Sequence, residues 1–298
     1  MGRHARIVIY EWNAWTNFLL PRIFPDAERI SANSRDSADI VDQISADCKY
    51  FIFHINCTYP GRFVTSHREV GQLLLDRGIS LVNSNVPDIS KPFLQTCCKS
   101  LGLNTTLQEK DGDGDELLIV KTTLNSCGVG ELSLTAEECE ELHIPRPPKN
   151  ARATRRRGYR VLKRIDIPPT IWNDSRLHIE KYISSPSDMY YRATFLMNRF
   201  SIAEVITPGR IKKFAQGVSR KFYYFDIAKN ETQNQSKPLF ISDLIQLRDR
   251  LGLDYGSFDI VQDSDGQFYV VDANCTPYCQ HPEFYEDTMT YLQSALDN

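Results

Sequence analysis

The chain is predicted to join an N-terminal α/β unit to a larger α+β body. Three observations predict this. Residues 5 to about 88 alternate apolar strand runs with helix signals, the pattern of βα units around a parallel sheet. From residue 177 onward, strand runs follow one another around short turns, the pattern of antiparallel hairpins. At 298 residues the chain is long enough for two or three packed layers or subdomains with sizeable cores.

The elements follow in order. A strand is predicted over residues 6–12, a short helix over 38–45 and a buried strand over 50–55. A helix over 68–77 ends at Gly78 and leads to a strand at 79–82. A helix over 90–101 has Ser90 as a cap, Pro92 in its first turn and Gly102 at its end. The acidic turn at 111–115 lacks the later glutamate of a calcium loop, so it reads as a solvated turn. A strand over 117–121 ends in Lys121 and precedes a glycine loop at 125–130. Close glycines let backbone N–H groups approach an anion, although most such loops are ordinary turns. Residues 146–164 carry nine Lys or Arg and no acid. A solvated, mobile loop is the favoured reading, and an anion-attracting lid the functional one. Strands are predicted at 177–183, 190–197, 200–206 and 221–227. A helix over 241–251 is expected to be capped by Ser242 or Asp243 and closed by Gly252, and an amphipathic helix over 284–296 ends the chain.

Composition excludes some classes. A formal net charge of −3 gives no global signal for nucleic acid or membrane surfaces. No apolar run approaches the ~20 residues of a membrane span, and residues 1–6 lack a signal-peptide core. Gly2 is not followed by Ser or Thr at position 6, where Arg6 stands, which argues against myristoylation. The eight Cys show no paired zinc spacing, and free thiols in a reducing cytoplasm are expected.

Residues 257–277 are the most informative stretch. Two apolar strands flank a turn at 263–266, and the outgoing strand ends in Asp272-Ala-Asn274. Residues two apart on a strand share a face, and Asp259 on the incoming strand can lie opposite them. Two carboxylates and an amide oxygen form an oxygen-only ligand set, which suits Mg²⁺ or Mn²⁺. The same alternation also describes the polar outer face of an exposed hairpin.

The order of these features carries a resemblance. Lys91 opens a helix, Lys121 ends a strand before the glycine loop, and Glu180-Lys-Tyr-Ile183 ends another strand. Arg192 lies on the next strand, and the Asp259, Asp272, Asn274 hairpin closes the series. Here the chain resembles the ATP-grasp superfamily, in the branch of D-alanine–D-alanine ligases and RimK-like ligases, over roughly residues 88–298. The resemblance implies an ATP-grasp fold with a preceding α/β domain at 1–88, a small nucleotide-lid subdomain at 89–184 and a large subdomain at 185–298. It implies that Lys91 and Lys121 contact nucleotide phosphates under a loop that includes Ser126, Gly128 and Gly130. It assigns adenine to Glu180 and Ile183, with Lys181 between them also cofactor-binding, ribose to Asp188 with Ser187 as a rival, and metal to Asp259, Asp272 and Asn274. Arg192, Lys212 and Arg220 are the implied catalytic cations.

Two departures stand out. Asp272 replaces the family's usual Glu, and Ser257 stands where D-alanine–D-alanine ligases carry Arg. The implied activity is ATP-dependent amide or peptide bond formation between a small-molecule or peptide carboxylate and an amine, through an acyl phosphate, by a cytoplasmic monomer or homodimer using ATP and Mg²⁺ or Mn²⁺. A small-molecule kinase of the same fold, or a non-catalytic nucleotide-binding module, is the alternative.

Overall fold

The computed structural model describes residues 6–12, 17–32, 37–63, 67–147, 159–185, 188–229, 231–233, 240–279 and 281–297. Three sheets organise them. Strands β1 (Arg6–Trp12), β2 (Glu28–Ser31), β3 (Cys48–Ile55) and β4 (Ser80–Val82) form the first, in the order β2-β1-β3-β4. Every pair in it is parallel. Both faces are covered. Tyr10, Phe51 and Phe53 pack toward Val70 and Leu74 of the helix His67–Asp76, and Ile7, Ile9 and Ile52 join the core that holds Tyr190 and Leu292. Two-sided burial accounts for the near-continuous apolar runs in β1 and β3.

The second sheet joins β5 (Leu117–Thr122), β6 (Arg160–Lys163) and β7 (Leu177–Lys181) in the antiparallel order β6-β5-β7. The third contains β8 (Met189–Leu196), β9 (Arg199–Ile206), β10 (Ser219–Asp226), β11 (Glu231–Gln233), β12 (Tyr255–Gln262) and β13 (Phe268–Asn274). Its order is β11-β10-β9-β8-β12-β13, all antiparallel. Phe195, Phe200, Phe258 and Ile260 on one face bury against Leu94 and Cys98 of the helix Lys91–Ser100 and Leu244 and Leu247 of the helix Ile241–Leu251.

Several local expectations change. Phe240, not Ser242 or Asp243, holds the N-cap position of the helix Ile241–Leu251, and no side chain caps it. Phe240 is buried against Phe268, with ring centroids 4.4 Å apart, so core packing sets where the helix starts. Ser90 occupies its predicted cap position without a side-chain bond; its N–H donates to Asp88 Oδ1 at 2.6 Å. The predicted terminal helix is shorter, Glu286–Gln293, between 3₁₀ turns at Pro282–Phe284 and Ser294–Leu296.

The basic segment is not one mobile loop. Its C-terminal part is β6, and Arg164 beyond it is buried. The Arg164 guanidinium pairs with Glu116 and donates to the carbonyls of Glu109 and Asp113 and to Gln108 Oε1. The carbonyls around the acidic turn satisfy its donors, and that fixes a charge the sequence alone leaves solvated. Arg155-Arg-Arg157 and Ser187 lie outside the described residues. All eight cysteines are buried and free. Among the described residues, no helix is long and apolar enough to cross a membrane.

Candidate active site

Strand register assembles the site. Asp259 on β12 lies opposite Asp272 on β13, and Ser257 lies opposite Asn274. On its other side Asp259 lies opposite Arg192 of β8. Arg192, Asp259 and Asp272 therefore form a row across three adjacent strands. Arg192 holds Asp259 in a fork, with Nε to Oδ1 at 2.8 Å and Nη2 to Oδ2 at 3.0 Å. Desolvation works against the Arg192 charge. The carboxylate of Asp259, with Tyr190 and Tyr285, more than offsets this and holds the guanidinium well above its ordinary pKa.

A bulge completes the arrangement. The register shifts between Asp259 and Ile260, so Ile260 faces Val270 and Val271 is the extra residue. The Val271 carbonyl accepts from Lys121 Nζ at 3.2 Å. β13 is an edge strand, and its other outward carbonyls are also taken. Gln95 Nε2 donates to Val270 O at 2.7 Å, and Asn125 Nδ2 donates to Ala273 O at 3.0 Å. The helix Lys91–Ser100 and the glycine loop thus cover the edge with side chains.

The two lysines converge on this edge from different elements. Lys91, 1% exposed, reaches Asn125 Oδ1 at 3.1 Å and Asp272 Oδ1 at 3.6 Å. Lys121 on β5 pairs with Glu180 Oε2 on β7 at 2.5 Å, and Glu180 is buried. Asp272 is one-third exposed, but its Oδ1 is buried with no hydrogen-bond partner. Desolvation raises the Asp272 carboxyl; Lys91 lowers it and Asp259 raises it further, and it lies above its usual range.

The donor set fits a hard divalent ion. Asp272 offers an orphaned oxygen. Asn274 Oδ1 is oriented by the N–H of Thr276 at 2.8 Å. Asp259, though forked to Arg192, retains further lone pairs. Among the described residues no group of three or more His, Cys, Asp or Glu side chains is arranged for a metal. Two carboxylates and an amide leave the remaining positions to water and phosphate, as Mg²⁺ prefers.

These groups line one cleft of about 610 Å³. That volume lies within the range of small-molecule and cofactor sites. No protein-family model matches the chain, and no curated protein matches it. Solved structures do. The ATP-grasp ligase PsnB, in complex with a phosphomimetic variant of its minimal precursor, Mg and ADP, superposes with a TM-score of 0.51 at 12% identity, over 99% of this chain and 98% of its own. D-alanyl-alanine synthetase A of Vibrio cholerae gives 0.50 at 14% identity, over 99% and 98%. The VanG D-Ala:D-Ser ligase of Enterococcus faecalis gives 0.51 at 9%, over 98% of each chain.

This chain has the ATP-grasp fold. The parallel sheet β2-β1-β3-β4 is the α/β unit that precedes it. On this ATP-grasp framework, Lys91, Lys121, Ser126, Glu180, Lys181, Ile183, Arg192, Lys212, Asp259, Asp272 and Asn274 all line the cleft. The N–H groups of Lys181 and Tyr182 are committed to the Thr106 and Leu117 carbonyls, at 2.8 and 3.0 Å.

Four residues expected at the site are absent from the cleft lining. Gly128 packs where a Cβ would stand 2.7 Å from Leu124, and Gly130 where one would stand 1.9 Å from the Asn56 carbonyl. Their lack of a side chain serves close packing of the loop. Asp188 is paired with Lys212 Nζ. Arg220 packs 3.8 Å over the Phe284 ring and donates to Phe214 O at 2.8 Å, bracing the turn at 214–217. Tyr159, Arg210, Tyr278, His281 and Tyr285 line the cleft without having been singled out in the sequence. Tyr159 precedes β6, Arg210 follows β9 and the other three follow β13, and none carries a motif of its own.

Proposed function

We propose that the protein is an ATP-dependent carboxylate–amine ligase. The observation that carries this reading is the convergence of Lys91 and Lys121 on the Asp259, Asp272, Asn274 face within a nucleotide-sized cleft of the ATP-grasp fold. Lys91, Lys121 and the backbone at Ser126 would hold the triphosphate. Ile183 would meet adenine, with Glu180 and Lys181 beside it. Asp188 is the proposed ribose contact, which requires release from Lys212. Asp259, Asp272 and Asn274 would hold the divalent ion, which when bound would offset phosphate charge. Residues 1–88, 89–184 and 185–298 are the proposed units, with the helix Lys91–Ser100 reaching across to the last.

In the reaction, a substrate carboxylate attacks the γ-phosphoryl group of ATP, releasing ADP. An amine then displaces phosphate from the acyl phosphate. The protein is asked mainly to position the reactants and to stabilise charge. Arg192 has the role of stabilising negative charge at the transferring group or the oxyanion while it fixes Asp259. Lys212, once released from Asp188, would meet an acceptor carboxylate, and Arg220 would act through the turn it braces.

The test is ADP release across pairs of amino acids and peptides, with the product identified by mass spectrometry. Release that needs both an acid and an amine, and a hydroxamate when hydroxylamine replaces the amine, is the expected result. A stable phosphate ester without an amide would assign a kinase instead.

A further inference from the structure

A second, smaller cavity of about 30 Å³ adjoins the cleft. The two share Ser126, Asn274 and Tyr278 as lining residues. The chamber lies just beyond the carboxyl end of β3. The sheet order β2-β1-β3-β4 runs outward in both directions from β1 and β3. That is a topological switch point, where open parallel sheets leave a crevice for ligands.

Its wall holds a buried carboxylate. Glu131 is 1% exposed, and its Oε1 accepts the Thr58 N–H at 2.6 Å. Among the described residues no Lys, Arg or His nitrogen forms an ion pair with it. A buried carboxylate that forms no ion pair, and whose charge Lys91 offsets only in part, is costly. Desolvation accordingly raises the Glu131 carboxyl above its usual range. Asn56 Nδ2, also in the chamber, is buried without a hydrogen-bond partner, while its Oδ1 accepts from the Thr276 hydroxyl at 3.1 Å. Phe18 and Tyr278 form aromatic walls, edge to face at 6.5 Å. An anion, aromatic faces and an unused amide donor together suit a cationic head with an oxygen nearby. The volume admits a group of one or two water-sized units and nothing bulkier.

We propose that this chamber binds the primary ammonium group of the amine substrate, with Glu131 as its counter-charge. The proposal rests on the ligase reading and adds the substrate class: a primary amine on a slim stem, presented as a cation beside Asn274.

Saturation-transfer NMR on the full chain tests it, with methylammonium, methanol and tetramethylammonium as probes. Methylammonium should receive saturation. Methanol lacks the charge and tetramethylammonium exceeds the volume, so neither should. In Glu131→Gln, which keeps the volume and an acceptor for Thr58, methylammonium binding should weaken about tenfold or more. Glu131→Asp should retain part of it. Equal saturation of methanol, or unchanged binding in Glu131→Gln, would overturn the proposal. If Glu131→Gln does not fold, the size and charge series on the wild-type chain decides alone. Hydroxamate formation separates the two readings. Its presence without methylammonium binding sinks the chamber only. Methylammonium binding with no hydroxamate from any acid removes the chamber's role as an amine subsite.

Discussion

At the residue scale, charge is distributed unevenly along the row Arg192, Asp259, Asp272. Asp259 is forked by a guanidinium, whereas Asp272 has only Lys91 at 3.6 Å and an oxygen without a hydrogen-bond partner. Asp272 therefore carries a charge that its buried surroundings do not favour. Because its folded pKa is raised, the ionised form costs stability at neutral pH. Asp272→Asn should leave the melting temperature unchanged or higher and abolish turnover. Asp272→Glu should remain active. Undiminished turnover in Asp272→Asn would exclude the proposed metal face. Lys121→Ala should behave differently, because it leaves Glu180 buried without its partner. A loss of roughly 3 kcal/mol in denaturant unfolding is expected, together with loss of the hydroxamate.

At the element scale, the glycine loop is tied to the residues after β3 by a close backbone approach. A Cβ on Gly130 would stand 1.9 Å from the Asn56 carbonyl, which is backbone and cannot swing away. Gly130→Ala should cost roughly 1–3 kcal/mol by overpacking. It should also weaken ATP binding, because the loop must lift off Asn56. A variant as stable and as tight for ATP as the parent would mean that the loop is not held there. β6 depends on its own staple. Arg164→Ala should strip the acidic turn of its partner and leave Glu116 unpaired, so hydrogen exchange in β6 and residues 109–116 should speed up ahead of that in β12.

At the scale of the whole molecule, stability should respond to pH and to ligand. His54 is fully buried, with neither ring nitrogen hydrogen-bonded. Desolvation lowers its pKa below the ordinary 6.5, against a smaller opposing pull from Glu11. The unfolded chain then binds a proton below about pH 6.5 that the folded chain refuses until its own lower value. Stability should fall as pH drops through that window, by up to about 1.4 kcal/mol per unit for this group. His54→Gln should remove this part of the slope, and parallel pH profiles for the two proteins would exclude it. Glu131 and Asp272, whose carboxyls are raised, contribute in the opposite sense at lower pH. ATP with Mg²⁺ at about 100 times its Kd should add about 2.7 kcal/mol. Equal melting shifts with ATP alone and with ATP plus Mg²⁺ would remove the metal from the site.

Periodicity and punctuation alone determined the parallel N-terminal unit, the hairpins after residue 177 and the pairing of Asp272 with Asn274 on one strand face. These are local properties: side chains alternate along a strand whatever surrounds it, and glycine ends a helix by its own backbone freedom. Gly78, Gly102 and Gly252 accordingly take positive φ at helix ends. The order of Lys91, Lys121, Glu180, Arg192 and the hairpin acids was also legible, because chain order survives folding. Tertiary structure decided the rest. Whether Arg164 floats in solvent or is buried depends on carbonyls fifty residues away. The Val271 bulge, the pairing of Glu180 with Lys121 and the chamber around Glu131 arise where separate segments meet. No residue's neighbours along the chain encode such contacts, since burial, counter-charge and cavity shape are properties of what packs against a side chain.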